Sequence, residues 1–228
     1  MKSVVLLSGG VDSATCLAIE VDKWGSKNVH AIAFNYGQKH EAELENAANV
    51  AMFYGVKFTI LEIDSKIYSS SSSSLLQGKG EISHGKSYAE ILAEKEVVDT
   101  YVPFRNGLML SQAAAYAYSV GAPYVVYGAH ADDAAGGAYP DCTPEFYNSM
   151  SNAMEYGTGG KVTLVAPLLT LTKAQVVKWG IDLDVPYFLT RSCYESDAES
   201  CGTCATCIDR KKAFEENGMT DPIHYKEN

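Results

Sequence analysis

Apolar and amphipathic segments alternate along this chain and predict a repeating order of strands and helices. Apolar runs at residues 4–7, 30–34 and 57–63 have the length and composition of buried strands. The segments 14–24 and 41–54 place apolar side chains at helical spacing, and each is followed by a glycine. The resulting βαβαβ order predicts a parallel sheet with right-handed crossovers.

The same alternation continues toward the C-terminus. We expect strands at residues 124–127 and 161–167 and helices at residues 108–120, 143–156, 173–179 and 208–217. Thr172 is the predicted cap of the third of these helices, and Gly180 is its predicted end. The fold class is therefore α/β, with a doubly wound and mostly parallel sheet. We expect a main domain over residues 1–190 and a small segment, residues 191–228, packed on it.

A run of six serines at residues 69–74 interrupts this pattern, and Gly78, Gly80 and Gly85 follow it. The region has no hydrophobic period and no apolar face, which predicts a flexible insertion or a mobile lid. A lid would exclude water from a reactive intermediate. An idle loop is equally consistent with the composition.

Charge narrows the choice of partner. The 228 residues include 18 basic and 28 acidic side chains, for a net charge of −10. Nucleic-acid binding depends on basic surface, so this balance favours a small-molecule substrate and argues against direct contact with nucleic acid. No apolar run approaches the roughly 18–20 residues that span a bilayer, and the N-terminus has no signal-peptide pattern. We therefore expect a cytoplasmic protein with no membrane association.

The turn between the first strand and the first helix carries the sequence SGGVDS at residues 8–13. Glycines allow a ligand to approach the backbone closely, and the N–H groups at a helix start attract anions. No lysine lies inside the turn, so it differs from a Walker-type loop. The turn is predicted to bind phosphate.

This signature resembles that of the N-type ATP pyrophosphatases, or PP-loop enzymes. The resemblance implies that the turn holds the pyrophosphate end of ATP while an oxygen nucleophile attacks the α-phosphorus. It also implies that Asp12 binds Mg²⁺ or organises the loop, and that Gln38 or His40, after the second strand, contacts the nucleotide. The other expected nucleotide contacts are Leu7, Ser8, Gly9, Gly10, Val11, Ser13, Ala14 and Thr15.

Arg105 and Asn106 stand at the mouth of the predicted helix 108–120. A planar guanidinium and an amide suit a phosphate or a carboxylate, so both are candidate substrate ligands. Lys173 belongs to a Thr-Lys pair that PP-loop enzymes often have at this place, which implies contact with the α-phosphate of ATP.

The segment after the strand 124–127 is predicted to be a long loop of small and acidic residues, 128–142. Small residues leave room for a flat ligand, and an aspartate there would bind the N–H edge of a guanine-like ring or Mg²⁺. The candidate aspartates are Asp132, Asp133 and Asp141, and His130 in the same loop is a further candidate substrate contact. Capping of the next helix is the alternative role for Asp141.

Four of the six cysteines, Cys193, Cys201, Cys204 and Cys207, have the spacing C-x7-C-x2-C-x2-C. Four thiolates on a short segment predict a closed tetrahedral zinc site. Two alternatives stay open, an iron–sulfur cluster and a catalytic persulfide.

Taken together, several motifs resemble the QueC family over nearly the whole chain. They are SGGVDS, VPFRN, GAHADD with YPDC, APLLTLTK, and SCY with CGTCATC. One departure is Phe104, where the resemblance leads us to expect a glycine before Arg105.

The resemblance implies an ATP-dependent ligase that converts 7-carboxy-7-deazaguanine and ammonia to 7-cyano-7-deazaguanine in queuosine-type biosynthesis. Asp12, Arg105 and Lys173 would be catalytic, Asp141 and its loop would bind the deazaguanine, and the zinc would be structural. We expect free ammonia as the nitrogen donor, because the sequence has no cysteine after Met1 and no added glutaminase domain, and we expect a homodimer. The alternatives are a tRNA-thiolating PP-loop enzyme and a non-catalytic nucleotide-binding module.

Overall fold

The computed structural model describes residues 1–39, 42–94, 98–135, 138–195 and 199–226. Its strands form one sheet in the order β3-β2-β1-β4-β5, and every pairing is parallel. The described strands are β1 (Ser3–Leu6), β2 (Val29–Asn35), β3 (Lys57–Glu62), β4 (Tyr124–Val126) and β5 (Thr163–Val165). The predicted parallel sheet is confirmed, although β5 is shorter than the predicted strand 161–167.

Helices cover both faces of the sheet. They are α1 (Val11–Trp24), α2 (Ala42–Tyr54), α3 (Tyr88–Glu94), α4 (Arg105–Val120), α5 (Ala131–Ala134), α6 (Pro144–Gly157), α7 (Lys173–Asp182) and α8 (Ala205–Glu216). Val5 of β1 packs with α1, α2 and α7, whereas its neighbour Val4 packs with α4 and α6. Successive side chains of a strand point to opposite faces, so the sheet has a core on each side and is doubly wound.

Three helices begin earlier than predicted, and one of them is α8, which starts at Ala205 instead of residue 208. Helix α1 starts at Val11 instead of residue 14, and α4 starts at Arg105 instead of residue 108. Asp12, Arg105 and Asn106 therefore lie in first helical turns and not in loops. Side chains in a first turn stand beside the free N–H groups of the helix end, which is where an anion binds.

The prediction that Gly180 ends α7 is wrong, because the helix continues through Gly180 to Asp182. The predicted cap is confirmed: Thr172 forms a capping box with Gln175. A Cβ at position 180 would overlap the hydroxyl of Tyr187 and approach Thr15 Oγ1 at 3.1 Å. Gly180 therefore allows close packing inside the helix and does not terminate it.

The predicted loop 128–142 contains the short helix α5 and a 3-10 turn, Pro140–Cys142. Asp141 does not cap the following helix. Thr143 does so by accepting a hydrogen bond from Phe146 N at 3.2 Å. His40 lies outside the described residues.

The insertion between β3 and α4 is partly packed against the domain, so its predicted flexibility is wrong for the end of the serine run. Ser73 and Ser74 are buried, and Ser74 N donates to Asp99 O at 2.9 Å. Leu75 O accepts from Lys39 N at 2.9 Å. These hydrogen bonds hold the segment beside the turn that follows β2.

The C-terminal segment packs on the same core as α1 and α7. Phe214 of α8 is buried there, and the guanidinium of Arg210 is fully buried. Arg210 donates to Asp221 at 2.7 and 2.9 Å and to Thr190 Oγ1 at 2.9 Å. A buried charge is tolerated only when it is paired in this way. None of the described helices has the length and apolar character needed to cross a membrane.

Candidate active site and metal centre

A cavity of about 240 Å³ opens at the carboxyl ends of β1, β2 and β4. Its walls include Leu7 after β1, Phe34 in β2 and Gly128 after β4. Ligands of open α/β sheets bind outside this edge, where the strand order reverses. The cavity is therefore the candidate active site.

The SGGVDS turn forms one wall of the cavity. Gly9 has φ of +81°, and a Cβ there would come within 2.7 Å of Glu43 O and Ala47 N on α2. The hydroxyls of Ser8 and Ser13 are 3.1 Å apart, and Ser13 Oγ also accepts from Ser8 N at 3.1 Å. The N-cap of α1 is Gly10, which has no side chain that could accept hydrogen bonds from the N–H groups of the first turn. This helix start is suited to an anion.

Charged side chains meet where α1, α5 and α7 converge. Lys173 Nζ lies 2.6 and 2.7 Å from the two carboxylate oxygens of Asp12. His130 Nε2 is 3.4 Å from Lys173 Nζ, 3.4 Å from Asp133 Oδ1 and 3.7 Å from Asp12 Oδ1. The three elements bring together residues that are up to 161 positions apart in the sequence.

The pKa values of the two carboxylates in this cluster, Asp12 and Asp133, are shifted in opposite directions. Burial alone would raise the pKa of Asp12, but the charges of Lys173 and His130 outweigh it and hold the pKa below its usual value. Burial raises the pKa of Asp133, and the nearby Asp12 adds to the effect, while His130 opposes it. Asp12 therefore stays ionised at neutral pH beside a lysine ammonium.

Arg105 also lines the cavity, and its Nη1 donates to Tyr36 OH at 2.9 Å while its guanidinium lies 5.4 Å from the centre of the Tyr36 ring. Asn106 also lines the cavity. Its backbone N donates to Asp141 Oδ2 at 2.9 Å, and its Nδ2 donates to Asp141 O at 3.1 Å. Asp141 thus caps α4 from outside the helix and orients Asn106.

Several predicted contacts do not line the cavity. Thr15 is fully buried and bonds to Val11 O and Tyr187 OH, both at 2.8 Å. Asp132 accepts from the backbone N of Lys173 at 2.7 Å, and Asp141 is buried beneath Asn106. The other predicted residues outside the lining are Gly9, Val11, Ala14 and His130.

Most of the remaining predicted residues do line it, and they are Leu7, Ser8, Gly10, Asp12, Ser13, Gln38, Arg105, Asn106, Asp133 and Lys173. Gln38 lines the cavity, and both polar atoms of its side chain form hydrogen bonds with backbone groups. Its Oε1 accepts from Tyr36 N at 2.9 Å, and its Nε2 donates to Phe34 O at 3.1 Å. It shapes the turn that positions Tyr36.

The sequence reasoning missed several charged or polar residues of the cavity wall, among them Glu43, Arg191, Tyr139 and Tyr194. Arg191 N donates to Gly9 O at 2.9 Å, and its Nη2 donates to Glu195 O at 2.9 Å. Arg191 therefore connects the SGGVDS turn, called the phosphate loop below for its predicted ligand, to the cysteine segment. Its position two residues before Cys193 was the available signal.

The four clustered cysteines form a candidate metal site. Cys193, Cys201, Cys204 and Cys207 are buried, and their sulfur atoms lie within 4.8 Å of one another. Tetrahedral zinc with Zn–S bonds of about 2.3 Å requires S–S distances of about 3.8 Å, so the four donors fit such an ion. The sulfurs of Cys193 and Cys201 accept backbone N–H groups at 3.3 to 3.4 Å. Those hydrogen bonds stabilise thiolates.

The family model described as "Queuosine biosynthesis protein QueC" matches residues 2–218. The chain belongs to the QueC family. A relative of this QueC chain from Thermoplasma volcanium is 43% identical, with 98% of this chain and 90% of the relative covered. A second, from Oceanobacillus iheyensis, is 40% identical, with 98% of each covered. Both relatives are named 7-cyano-7-deazaguanine synthase.

A solved structure has the same fold as this QueC chain. It is described as a predicted subunit of tRNA methyltransferase from Methanocaldococcus jannaschii, and it aligns with a TM-score of 0.52 at 19% identity. The alignment covers 98% of this chain and 93% of that one. At this identity the likeness concerns the fold alone.

Proposed function

We propose that the chain is an ATP-dependent ligase that converts 7-carboxy-7-deazaguanine and ammonia to 7-cyano-7-deazaguanine. The observation that carries the proposal is one cavity that holds the SGGVDS turn, the Asp12–Lys173 pair and Arg105, in a chain of the QueC family. The names of the relatives agree with this activity.

The chemistry explains why ATP is needed. A carboxylate is a poor electrophile, so one of its oxygens first attacks the α-phosphorus of ATP and releases pyrophosphate. Ammonia then displaces AMP from the acyl adenylate and leaves an amide. A second adenylylation, at the amide oxygen, allows the nitrile to form by loss of AMP and a proton. Two ATP molecules are consumed for each nitrile, and both carboxylate oxygens leave in AMP.

The phosphate loop supplies the contacts for pyrophosphate. The first turn of α1 presents the backbone N–H groups of Val11, Asp12 and Ser13, and Ser8 adds a hydroxyl. Lys173, at the start of α7, is placed to neutralise charge that develops on the α-phosphate. The Asp12 carboxylate orients the Lys173 ammonium for this task.

Asp12 and Asp133 are the residues that we assign to Mg²⁺. Both line the cavity, and carboxylate oxygens are the ligands that this ion prefers. Magnesium bound there would neutralise part of the pyrophosphate charge.

The part of the cavity around Arg105 is assigned to the deazaguanine carboxylate. Arg105 is a bidentate cation, and its bond to Tyr36 fixes the guanidinium plane. Asn106 uses its Nδ2 for Asp141 O, so its Oδ1 stays available as an acceptor for a ring N–H. The rings of Tyr139 and Tyr194 line the same region and suit a flat heterocycle.

The cysteine cluster is assigned to structural zinc. All four sulfurs are in one buried set, so no cysteine of the cluster is left for persulfide chemistry. The net charge of −10 gives little support for tRNA binding. Thiolation of tRNA is therefore not favoured.

Mass spectrometry of a complete reaction tests the proposal. Purified protein is incubated with ATP, Mg²⁺, ammonium and 7-carboxy-7-deazaguanine, and parallel reactions omit ATP or ammonium. We expect the nitrile and AMP in the complete reaction alone. If zinc-loaded, folded protein formed neither amide nor nitrile, the assignment would be wrong.

A further inference from the structure

Glu43 is an acidic side chain in the cavity to which the proposed reaction assigns no role so far. It lies in the first turn of α2, directly behind the phosphate loop, because a Cβ on Gly9 would come within 2.7 Å of Glu43 O. Its side chain is partly buried and lines the cavity. Glu45, two residues later, is exposed on the same helix and lines no part of it.

The charged and titratable groups that face Glu43 come from three other parts of the chain. They are Arg105 on α4, Arg191 before the cysteine cluster and Tyr36 after β2. Within the described residues, the Glu43 carboxylate accepts no hydrogen bond. A carboxylate beside two guanidinium groups but bonded to neither can still accept a proton from a bound ligand.

Loss of water raises the pKa of Glu43 to about 7, while Arg105 and Arg191 act in the opposite direction and limit the rise. A base is most effective when its pKa lies near the working pH. Asp133, the other acidic group with a raised pKa in the cavity, is already held by His130 at 3.4 Å.

The proposed reaction requires such a base. Ammonia in water near neutral pH is almost entirely ammonium, which has no lone pair and cannot attack an acyl adenylate. Arg105 and Arg191, the two cations that act on Glu43, disfavour a further cation in this part of the cavity unless an anionic group receives it. Glu43 offers both a negative charge and a proton acceptor.

We propose that Glu43 binds the incoming ammonium ion and takes its proton, so that free ammonia forms beside the acyl adenylate. This inference rests on the proposed function. One N–H bond of ammonium breaks and its proton passes to the Glu43 carboxylate, while the freed lone pair forms the new C–N bond. The C–O bond to AMP then breaks, AMP leaves with the electron pair, and the amide nitrogen releases one more proton to solvent.

The test compares two nucleophiles on Glu43→Gln, with Glu45→Gln as the matched control. Ammonium must be deprotonated before attack, whereas hydroxylamine is largely neutral at pH 7 and attacks directly to give a hydroxamic acid. The rate with ammonium should fall by about 10²-fold or more in Glu43→Gln, and the loss should shrink as the pH rises. Hydroxamate formation should stay within about threefold of the wild-type rate.

Carboxylate-dependent exchange of pyrophosphate into ATP is measured alongside, because it reports the first adenylylation without any nitrogen donor. Retained exchange in Glu43→Gln shows a folded site, and Glu43→Asp should restore part of the ammonium-dependent rate. Equal losses with ammonium and hydroxylamine would assign Glu43 a structural role and overturn the proposal. An unchanged ammonium rate would do the same. Absence of exchange in the wild-type protein would instead refute the proposed ligase itself.

Discussion

Lys173 and Asp12 form the closest charged pair in the cavity, with Nζ–Oδ distances of 2.6 and 2.7 Å. They come from the first turns of α7 and α1, so each stands at a helix end that favours an anionic ligand. The pairing fixes a lysine ammonium beside the phosphate loop. Catalysis by charge stabilisation depends on such prior orientation.

Replacement of Lys173 by methionine tests this role. We expect kcat to fall by about 10²- to 10³-fold, the range seen when one oriented donor is removed from a transition state. Lys178→Met is the control, because Lys178 is exposed on the same helix and pairs with Asp182 at the surface. Surface ion pairs contribute little, so the control should stay within about threefold of wild type. Similar losses in both variants would contradict the assignment.

Phe104 carries a backbone conformation that favours glycine. Its φ is +54° and ψ is +26°, and its ring packs over Gly107 and lies 6.0 Å from the ring of Phe146. The expectation of a glycine at this position therefore has a physical reason. A left-handed conformation costs an L-residue about 1–2 kcal/mol.

Two variants at this position separate backbone strain from ring packing. Phe104→Gly and Phe104→Ala both lose the ring, but only the glycine variant relieves the left-handed backbone. We expect the glycine variant to be more stable than the alanine variant by about 1 kcal/mol in denaturant unfolding. Equal stabilities, or a more stable alanine variant, would show that position 104 is not left-handed in solution.

At the level of single residues, the sequence predicted the cavity residues that belong to recognisable motifs. Asp12, Arg105 and Lys173 were predicted and do line one cavity. Glu43 was missed because nothing in its local sequence differs from an ordinary helix residue, and Arg191 was missed because its only signal was its position two residues before Cys193. They become site residues through the packing of α2 and the C-terminal segment against the phosphate loop.

At the level of elements, the hydrophobic pattern located the strands and most of the helices to within a few residues. The helix starts were less certain, because Asp12, Arg105 and Asn106 are as common in loops as in first turns. Asp141 caps α4 from 35 residues away, and no local pattern reveals such a cap. The burial of Ser74 was hidden for the same reason, since its partner is Asp99 on another part of the insertion.

The cysteine cluster fastens several elements at once. Cys204 directly precedes α8. His84 of the insertion pairs with Cys204 in an isolated antiparallel β-bridge, and its Nδ1 lies 2.9 Å from Thr203 Oγ1. If zinc holds the four sulfurs, its removal should loosen α8 and the insertion together, because metal-binding energy is folding energy at such sites.

Metal analysis combined with thermal unfolding checks this prediction. We expect one zinc per chain in the wild-type protein, and a strong chelator should lower the melting temperature. Cys204→Ser should bind no zinc and melt at the lower temperature without chelator. Cys16→Ala is the control, since Cys16 is buried in the core of α1 and lies outside the cluster, and it should keep its zinc. Iron and inorganic sulfide in place of zinc would contradict the assignment.

At the level of the whole molecule, the alternation of strands and helices was enough to predict a doubly wound parallel sheet, and the cavity lies at the edge where such sheets bind ligands. Charge added a second constraint by favouring a small substrate. The strand order follows from right-handed crossovers and packing, and the sequence carries it only indirectly.

The surface beside the edge strand β3 supports the expected homodimer. Ile60 on β3 and Met52 and Phe53 on the adjoining helix α2 are exposed, with 43, 74 and 54% of their surface accessible. An exposed edge with apolar neighbours is a typical site of association. Light scattering should give twice the 24.6 kDa chain mass. Met52→Glu combined with Phe53→Glu should give the monomer mass, and a monomeric wild type would contradict the prediction.

Adenylylation of the substrate would transfer both of its carboxylate oxygens to AMP, and isotope labelling can follow this transfer. 7-Carboxy-7-deazaguanine labelled with ¹⁸O at both carboxylate oxygens is converted in unlabelled water, and the AMP is analysed by mass spectrometry. We expect one ¹⁸O in each AMP, two AMP for each nitrile, and no ¹⁸O in pyrophosphate. Label in water or in inorganic phosphate, with unlabelled AMP, would contradict adenylylation and the function proposed for this chain.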